Sequence, residues 1–342
     1  MAAGAWALRL AGLALMVSAL SLPLMRAPER PVETLVATWA PSPSEFAELE
    51  GQLLHWRDQG RTGDPTPLVL LHDAGASLHV WEGWVRALTP RHRVLTLDVP
   101  GSGLSGPAPD GDYRPAAQAQ RVRALLAQAK VRRYVLVGQG AGADVAWAIA
   151  VADPHAVRGL MLINPGRPAH WPPLWRLARL PGWASISTEL LPRALIQVQW
   201  DELLGPAGSV SAVQTDRLFE LTRRSGNSAA LPLLLAQLGA PQPALPTDMP
   251  VLLAWGEADA VTPLTPARRA TLGNQLPQAR WAVWPGLGHW PQEEDAARTV
   301  TSLQQWLGEA AGGAGPIAWG APTAAGWSQR LSSASISDWN SR

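Results

Sequence analysis

Asp259 and His289 are residues whose types could do acid–base chemistry together. Asp259 follows the apolar run 250–255, and His289 lies 30 residues later in the segment Gly-Leu-Gly-His-Trp-Pro. A carboxylate that orients an imidazole allows the ring to take a proton from a hydroxyl group or from water. The alternatives are a turn or helix-cap role for Asp259 and a plain surface position for His289.

The segment 138–142, Gly-Gln-Gly-Ala-Gly, follows another apolar run and is typical of a sharp turn between a strand and a helix. A sharp turn between a strand and a helix can present a side chain to a partner histidine. Gly140, at the centre of this turn, offers no hydroxyl, thiol or carboxylate. The chain also contains no cysteine, so thiolate chemistry and Cys-based zinc sites are excluded.

Strand-like and helix-like segments alternate along the chain and must position these residues. Two segments separated at Gly51 predict a β-hairpin, and the continuous apolar run 67–72 predicts a strand buried on both faces. The alternation that follows predicts a parallel sheet with right-handed crossovers. Helices are predicted at 78–88, 114–129, 141–152, 264–275 and 295–308, and further strands at 93–98, 132–137, 158–163, 250–255 and 279–285.

Five segments, in chain order, resemble those of α/β-hydrolases: LVLLHDAGASLHVWEGW, VLTLDVPGSGLSGP, VLVGQGAGADVAW, WGEADAVTP and WPGLGHWPQEED. The resemblance covers about residues 46–308, and the phrase FELTRRSGNSAAL is similar to that of capped bacterial members. It implies an α/β-hydrolase fold, with a mostly parallel eight-stranded sheet and a helical cap inserted between strands 6 and 7. No cofactor or metal site is expected.

The resemblance also implies roles for individual residues. Gly140 stands where the family carries its nucleophilic serine, Asp259 corresponds to the acid and His289 to the base. The backbone N–H groups of Ala74 and Ala141 correspond to the oxyanion hole. The other expected pocket residues are His72, Asp73 and Gln139.

Asp73 is a second departure from the family pattern, because the H-G-x-G motif has glycine at this position. Its carboxylate would repel a developing oxyanion or occupy the oxyanion hole itself. Alternatively, it turns outward, since aspartate tolerates unusual backbone angles. Ser102 and Ser105 are poor substitutes for the nucleophile, because hydroxyl groups in such loops commonly bind nearby backbone groups.

Three regions flank or interrupt the predicted core of 46–165 and 249–310. Residues 166–248 contain many prolines, four tryptophans and amphipathic helical stretches. They predict a cap over the carboxyl ends of the strands, where open α/β sheets bind ligands. Proline-rich residues 27–45 predict a linker, and residues 311–342, rich in Gly, Ala and Ser, predict a disordered tail.

Residues 1–26 include an uncharged apolar run from Leu10 to Met25, between Arg9 and Arg26. The run is short for a spanning helix, which needs about 17 to 25 residues, and no clear A-x-A cleavage signal follows it. A buried soluble helix is the alternative. We predict a signal peptide or an N-terminal membrane anchor, and hence a protein anchored at the inner membrane or exported, with its folded part on the periplasmic side.

Besides a weak hydrolase that uses an unrecognised nucleophile, two functions stay open at this point. One is the binding of a partner or of a small apolar molecule by a protein that has lost serine-hydrolase activity. The other is an active enzyme that hydrolyses an ester or related bond, or runs cofactor-free chemistry, with Asp259 and His289 as its acid–base pair. The net charge of +1 provides no field that would attract nucleic acid, so no nucleic-acid partner is expected.

Overall fold

An eight-stranded sheet forms the centre of the protein in the computed structural model, which describes residues 26–311 together with Trp6, Gly12 and Met16. Its strand order is β1-β2-β4-β3-β5-β6-β7-β8. β2 pairs antiparallel with β1 and β4, and the other neighbours are parallel. The predicted mostly parallel sheet of eight strands is confirmed. The strands are β1 Ser44–Leu49, β2 Gln52–Gly60, β3 Leu68–Leu71, β4 Arg93–Leu97, β5 Tyr134–Gln139, β6 Val157–Ile163, β7 Val251–Gly256 and β8 Arg280–Trp284.

Helices follow the strands in the alternation that the sequence predicts, and a 3-10 helix at Leu78–Trp81 precedes the second of them. The α-helices are α1 Val32–Trp39, α2 Glu82–Leu88, α3 Pro115–Gln128, α4 Ala141–Ala152, α5 Pro173–Ala178, α6 Trp183–Ser187, α7 Arg193–Leu203, α8 Ala212–Thr222, α9 Asn227–Gln237, α10 Pro266–Gln275, α11 Pro291–Glu294 and α12 Ala296–Ala311. The chain divides into two compact units, 1–303 and 304–342, and the described part of the second is the end of α12.

Helix α4 lies unusually close to the middle of the sheet. A Cβ atom on Gly142 would overlap the backbone of β3 at the Leu71 carbonyl, and one on Gly138 would overlap the Gly142 carbonyl. Only glycine permits this approach of two backbones. The small residues of α4 therefore fix the turn at Gly140 directly at the carboxyl ends of β3 and β5.

The segment 166–248, here called the helical insertion, contains α5 to α9 and connects β6 to β7. It contacts loops that follow several strands. The Leu203 carbonyl accepts a hydrogen bond from the His289 amide at 2.7 Å, and the Asn227 side-chain amide donates to the Gly103 carbonyl at 2.8 Å. These bonds hold the insertion against the edge of the sheet where the strands end.

The prediction of a linker over 27–45 is corrected by helix α1 within it. Leu35 and Trp39 are buried there against Leu104 and Leu221. Pro31 immediately precedes the helix, a position compatible with the fixed φ of proline, so the prolines mark the start of a helix rather than its absence. The predicted tail beyond Ala311 and the predicted signal or anchor before Arg26 lie outside the described residues, apart from three isolated positions. Among the residues described, no helix has the length and apolar character needed to cross a bilayer.

Candidate active site

Asp259 lies in the loop after β7, where its carboxylate is held by three neighbouring donors. Oδ1 accepts hydrogen bonds from the amides of Val261 and Thr262 at 2.8 and 2.9 Å. The Thr262 hydroxyl donates to Oδ2 at 2.6 Å. With 2% of its surface exposed, Asp259 is an anchored, buried carboxylate whose second oxygen faces a histidine.

That histidine is His289, in the loop after β8. Its Nδ1–H donates to Asp259 Oδ2 at 2.9 Å. The carbonyl of His289 accepts hydrogen bonds from the side-chain amides of Gln139 and Asn164 at 3.0 and 3.1 Å. The loop is thus tied to the ends of β5 and β6, and the ring points across the sheet edge toward the turn at Gly140.

Gly140 forms the turn between β5 and α4 with φ 53° and ψ −117°. This backbone conformation is strained for any residue with a Cβ atom. The Gly140 amide donates to the Ile163 carbonyl at 3.0 Å, which extends the pairing of β5 with β6 into the turn. The next amide, that of Ala141, points toward the space beside Gly140.

The carboxylate of Asp73 fills that space. Oδ1 accepts hydrogen bonds from the amides of Ala74 and Ala141 at 2.8 and 2.7 Å. Oδ2 accepts from His289 Nε2–H and from Trp290 Nε1–H, both at 3.1 Å. The sequence left open whether the Asp73 side chain points inward or outward. In the structure it points inward, onto the amides of Ala74 and Ala141.

Asp73 and Gly140 depend on each other sterically. A Cβ atom on residue 140 would overlap Asp73 Oδ1 and Cγ. Asp73 and Gly140 therefore form one arrangement: a carboxylate from the loop after β3 stands where a side chain on residue 140 would be.

His289 is charged in this setting. Burial opposes the charge, but Asp259 and then Asp73 outweigh burial and raise the pKa of His289 to about 10. Burial likewise works against the ionised form of Asp259, yet His289 and the hydrogen bonds from Thr262 hold the pKa of this carboxyl below its usual range. One imidazolium thus stands between two carboxylates in a site closed to water.

His72 and Gln139 support the site from behind. His72 Nδ1–H donates to the Asp73 carbonyl at 2.7 Å, and its Nε2 accepts from the Val99 amide at 3.1 Å. Burial lowers the pKa of His72, which keeps the ring neutral, as this pair of bonds requires. Gln139 contacts the loop through the His289 carbonyl described above. Both residues position loops of the site.

Four contacts of the site were not anticipated from the sequence. Trp290 directly follows His289, and Thr262 follows Asp259 by three residues. The sequence therefore places both near the site, but it does not indicate that the Thr262 hydroxyl and the Trp290 ring N–H donate to the carboxylates. Asn164 adopts φ 47° after β6 and also accepts from the Gly256 amide at 3.0 Å. The edge of the Trp175 ring, from the helical insertion, packs against His289 at 5.9 Å between ring centroids.

The two loop serines differ in their surroundings. Ser105 Oγ donates to the Asp98 carbonyl at 2.5 Å and accepts from the His55 amide at 2.9 Å, so it binds local backbone as expected. Ser102 is buried, and its hydroxyl has no hydrogen-bond partner within the described part of the chain. Among residues 26–311, no cluster of three or more His, Asp or Glu side chains is arranged to hold a metal ion.

Comparison with known proteins identifies the family of this chain. The chain is 30% identical to the dihydrolipoyllysine-residue acetyltransferase component of an acetoin cleaving system from Pseudomonas putida, over 78% of this chain and 70% of that protein. It is 26% identical to a 2-hydroxymuconate semialdehyde hydrolase from Pseudomonas sp. strain CF600, over 73% and 89%. The enol-lactonase from Burkholderia xenovorans LB400 shares the fold, with a TM-score of 0.62, 22% identity, and coverage of 77% and 100%. Residues 66–296 match the family described by the alpha/beta hydrolase fold, and the chain therefore belongs to that family.

Proposed function

We propose that this protein is an α/β-hydrolase family member without serine-hydrolase activity, whose site binds a small apolar molecule or a partner under the helical insertion. The observation that carries the proposal is the Asp73 carboxylate beside Gly140. Gly140 supplies no nucleophile, and a serine at this position would overlap Asp73. Loss of the nucleophile in a serine triad costs about 10⁶ in turnover.

Asp73 also removes the second component of ester hydrolysis. The amides of Ala74 and Ala141 would have to bind the oxygen of a tetrahedral intermediate, but both donate to Asp73 Oδ1. A carboxylate in an oxyanion hole repels a second negative charge, and one donor of such a hole is typically worth 10² to 10³ in turnover. The residual activity that an oxyanion hole alone gives is therefore not expected here.

His289 cannot act as a base while Asp73 is in place. Both ring nitrogens donate to carboxylates, and a pKa of about 10 keeps the ring protonated at neutral pH. A general base needs a pKa near the working pH and a free lone pair. The Asp259–His289 pair alone therefore does not favour base catalysis on a water or on an acidic substrate proton.

Binding is supported by the tryptophans around the site. Trp175, Trp200 and Trp290 are at most 2% exposed, and the Trp200 and Trp290 rings pack edge to face at 4.9 Å. Trp175 and Trp200 belong to the insertion, so movement of the insertion would uncover aromatic surface that suits a small apolar ligand. In this reading the insertion acts as a cap, and no cofactor takes part.

One observation favours a second candidate, an enzyme with Asp73 as nucleophile. Asp73 Oδ1 accepts hydrogen bonds from two backbone amides, while Oδ2 accepts one from the imidazolium of His289. Attack of Oδ2 on a saturated carbon of an epoxide would form a C–O bond and break the ring C–O bond. His289 would protonate the leaving oxygen and, now neutral, would deprotonate the water that hydrolyses the Asp73 ester.

A single set of variants tests both candidates in the full-length protein. Wild type, Asp73→Asn, His289→Ala, Gly140→Ser and the double variant Gly140→Ser/Asp73→Gly would be assayed with esters, lactones, thioesters and epoxides, and labelled with a fluorophosphonate. We expect no turnover and no label in wild type, and labelling at residue 140 in the double variant. Ester turnover by wild type that is lost in His289→Ala, or a label on Ser102 or Ser105, would reject the proposal. Epoxide turnover lost in Asp73→Asn would establish the second candidate.

A further inference from the structure

The N-terminal apolar run joins the described structure at the helical insertion. The backbone of Arg26 forms an antiparallel bridge with Leu190, and the Ala27 amide donates to the Glu189 carbonyl at 2.7 Å. Arg26 directly follows the apolar run 10–25 in the sequence. The run therefore ends where the chain is already bound to the insertion, without an intervening spacer.

The insertion exposes apolar side chains close to this junction. Leu180 and Ile186 are 55% and 56% exposed, and Leu177 is 36% exposed. The Leu190 amide, one residue beyond the Glu189 contact, donates to the Ile186 carbonyl at 2.9 Å, so the turn that carries Ile186 is the turn that binds Arg26. We call Leu177, Leu180 and Ile186 the α5–α6 face.

The α5–α6 face is separate from the packing of these helices onto the protein. Trp175 on α5 and Trp183 on α6 supply the buried side, with 2% and 8% exposure. A helix that packs only on its own protein carries polar residues on its outer side. Short helices with an apolar outer side and basic neighbours are typical of segments that lie in the plane of a membrane surface.

Charge divides the insertion into two halves. Residues 166–200 contain four arginines and one acidic residue, Glu189, whereas residues 201–248 contain three arginines and five acidic residues. Arg176 and Arg179 are exposed and lie within or next to the α5–α6 face in the sequence. The half that joins the N-terminal run is therefore the basic half, which is complementary to anionic lipid headgroups.

We propose that the α5–α6 face docks on a bilayer that contains anionic lipids, on the side of the insertion where Arg26 pairs with Leu190. On the prediction that the run 10–25 is an anchor, it would provide one attachment, and the face with Arg176 and Arg179 would provide a second. Stable attachment to a membrane commonly needs two such signals. The inference concerns attachment and orientation, and it holds whether or not the site under the insertion is catalytic.

The absence of cysteine from the chain allows a direct test, because one introduced cysteine is a unique labelling site. The full-length variants Leu180→Cys and Ile186→Cys would carry the fluorophore NBD and be reconstituted into vesicles of phosphatidylcholine with or without phosphatidylglycerol. Val213→Cys is the matched control, because Val213 is exposed by 64% but lies in the acidic half. Near-ultraviolet circular dichroism would verify that each variant is folded.

We expect blue-shifted emission at residues 180 and 186 and at least about twofold stronger quenching by doxyl lipids than at residue 213. Exchange of Arg176 and Arg179 for glutamate should reduce this difference in vesicles with phosphatidylglycerol and leave it unchanged in pure phosphatidylcholine. Water-like emission at 180 and 186 in both vesicle types would overturn the proposal. So would a blue shift already present without lipid, which would indicate that the N-terminal run or a second copy of the chain covers the face.

Discussion

Two buried histidine–aspartate clusters in this protein have opposite ratios of imidazole to carboxylate. In the candidate site, one imidazole, His289, lies between two carboxylates, at 2.9 Å from Asp259 and 3.1 Å from Asp73. In the cluster between β2 and β4, one carboxylate, Asp98, binds the His55 ring at 2.7 Å and lies near His79. Both clusters are excluded from water, so burial alone does not distinguish them.

The charge on the rings differs because their charged neighbours differ. Burial opposes a charged ring in both places. At His289 two carboxylates overcome it and raise the pKa to about 10, whereas at His79 burial and the neighbouring Arg57 lower the pKa to about 3 despite Asp98. Burial also opposes the ionised form of Asp98, but its histidine partners hold its pKa below the usual range. At His289 and His79, the neighbouring charged groups, more than depth, determine which of the two rings carries a proton.

The largest effect should come from removing the ring that the two carboxylates share. His289→Leu leaves Asp73 and Asp259 buried without a cation, and breaking a buried ion pair in this way costs about 3 to 5 kcal/mol. His79→Gln removes a neutral ring and should cost only about 1 to 2 kcal/mol. Urea unfolding of both variants measures the difference, and equal losses would contradict the assigned charge states.

Gly140→Ser should have the second-largest effect on stability. It tests whether Asp73 fits into the cluster only because residue 140 is glycine. We expect a loss of about 2 to 4 kcal/mol from overlap with the carboxylate. Gly286→Ser is the control: it has φ +76° and nothing within 4 Å of the added Cβ, so it should cost only about 1 kcal/mol of backbone strain.

Adding Asp73→Gly to Gly140→Ser should recover more than about 1 kcal/mol of that loss, a coupling typical of residues in contact. Additive losses in this double-mutant cycle, measured by urea unfolding, would mean that the two side chains do not compete for one space.

The pH dependence of stability should separate the two clusters. The folded pKa of His289 is raised, so its contribution is fully present below about pH 6.5 and is lost as the pH rises through about 10. Thermal melts of wild type should therefore show falling stability between these values. His289→Leu should lack this decline, and His79→Gln should retain it, since His79 is already neutral throughout this range.

The smallest effect concerns a buried carboxylate without an imidazole. Asp144 accepts one hydrogen bond, from the Gly239 amide at 2.8 Å, and burial raises its pKa to about 7. Because its folded pKa is raised, the contribution of protonated Asp144 to stability is fully present below about pH 3.8 and is lost as the pH rises through about 7. Asp144→Asn should thus raise stability at pH 8 by about 1 to 2 kcal/mol and change little at pH 4. Thermal melts of wild type and Asp144→Asn at pH 8 and pH 4 measure the gain in stability. An equal gain at both pH values would contradict the raised pKa of Asp144.

Periodicity and motif order predicted most of the fold and half of the site. Strands such as 67–72 and helices such as 141–152 are encoded locally, by continuous apolar runs and helical spacing. The approach of Asp259 to His289 followed from two motifs at the ends of parallel strands, and the structure has them in hydrogen-bond contact.

The direction of Asp73 could not be obtained in the same way. Its neighbours in the sequence fit both an inward and an outward side chain, and the choice depends on space left by Gly140, 67 residues away. Helix α1 was missed for a similar reason: the prolines on both sides of it resemble a linker, and burial of Leu35 and Trp39 against distant residues stabilises it. Features that depend on a cavity or on a remote surface are not encoded in the local pattern.

The contact between Asp73 and Gly140 restricts the order in which such a site can evolve. On the proposal that an ancestor carried serine at position 140, an aspartate at 73 could not have turned inward before the serine was lost, because the two would overlap. The glycine therefore had to come first. Once the carboxylate had settled on the amides of Ala74 and Ala141, return of the serine alone became a steric conflict instead of a repair. The exchange is thus difficult to reverse by a single substitution, and descendants would keep whatever function the carboxylate now serves.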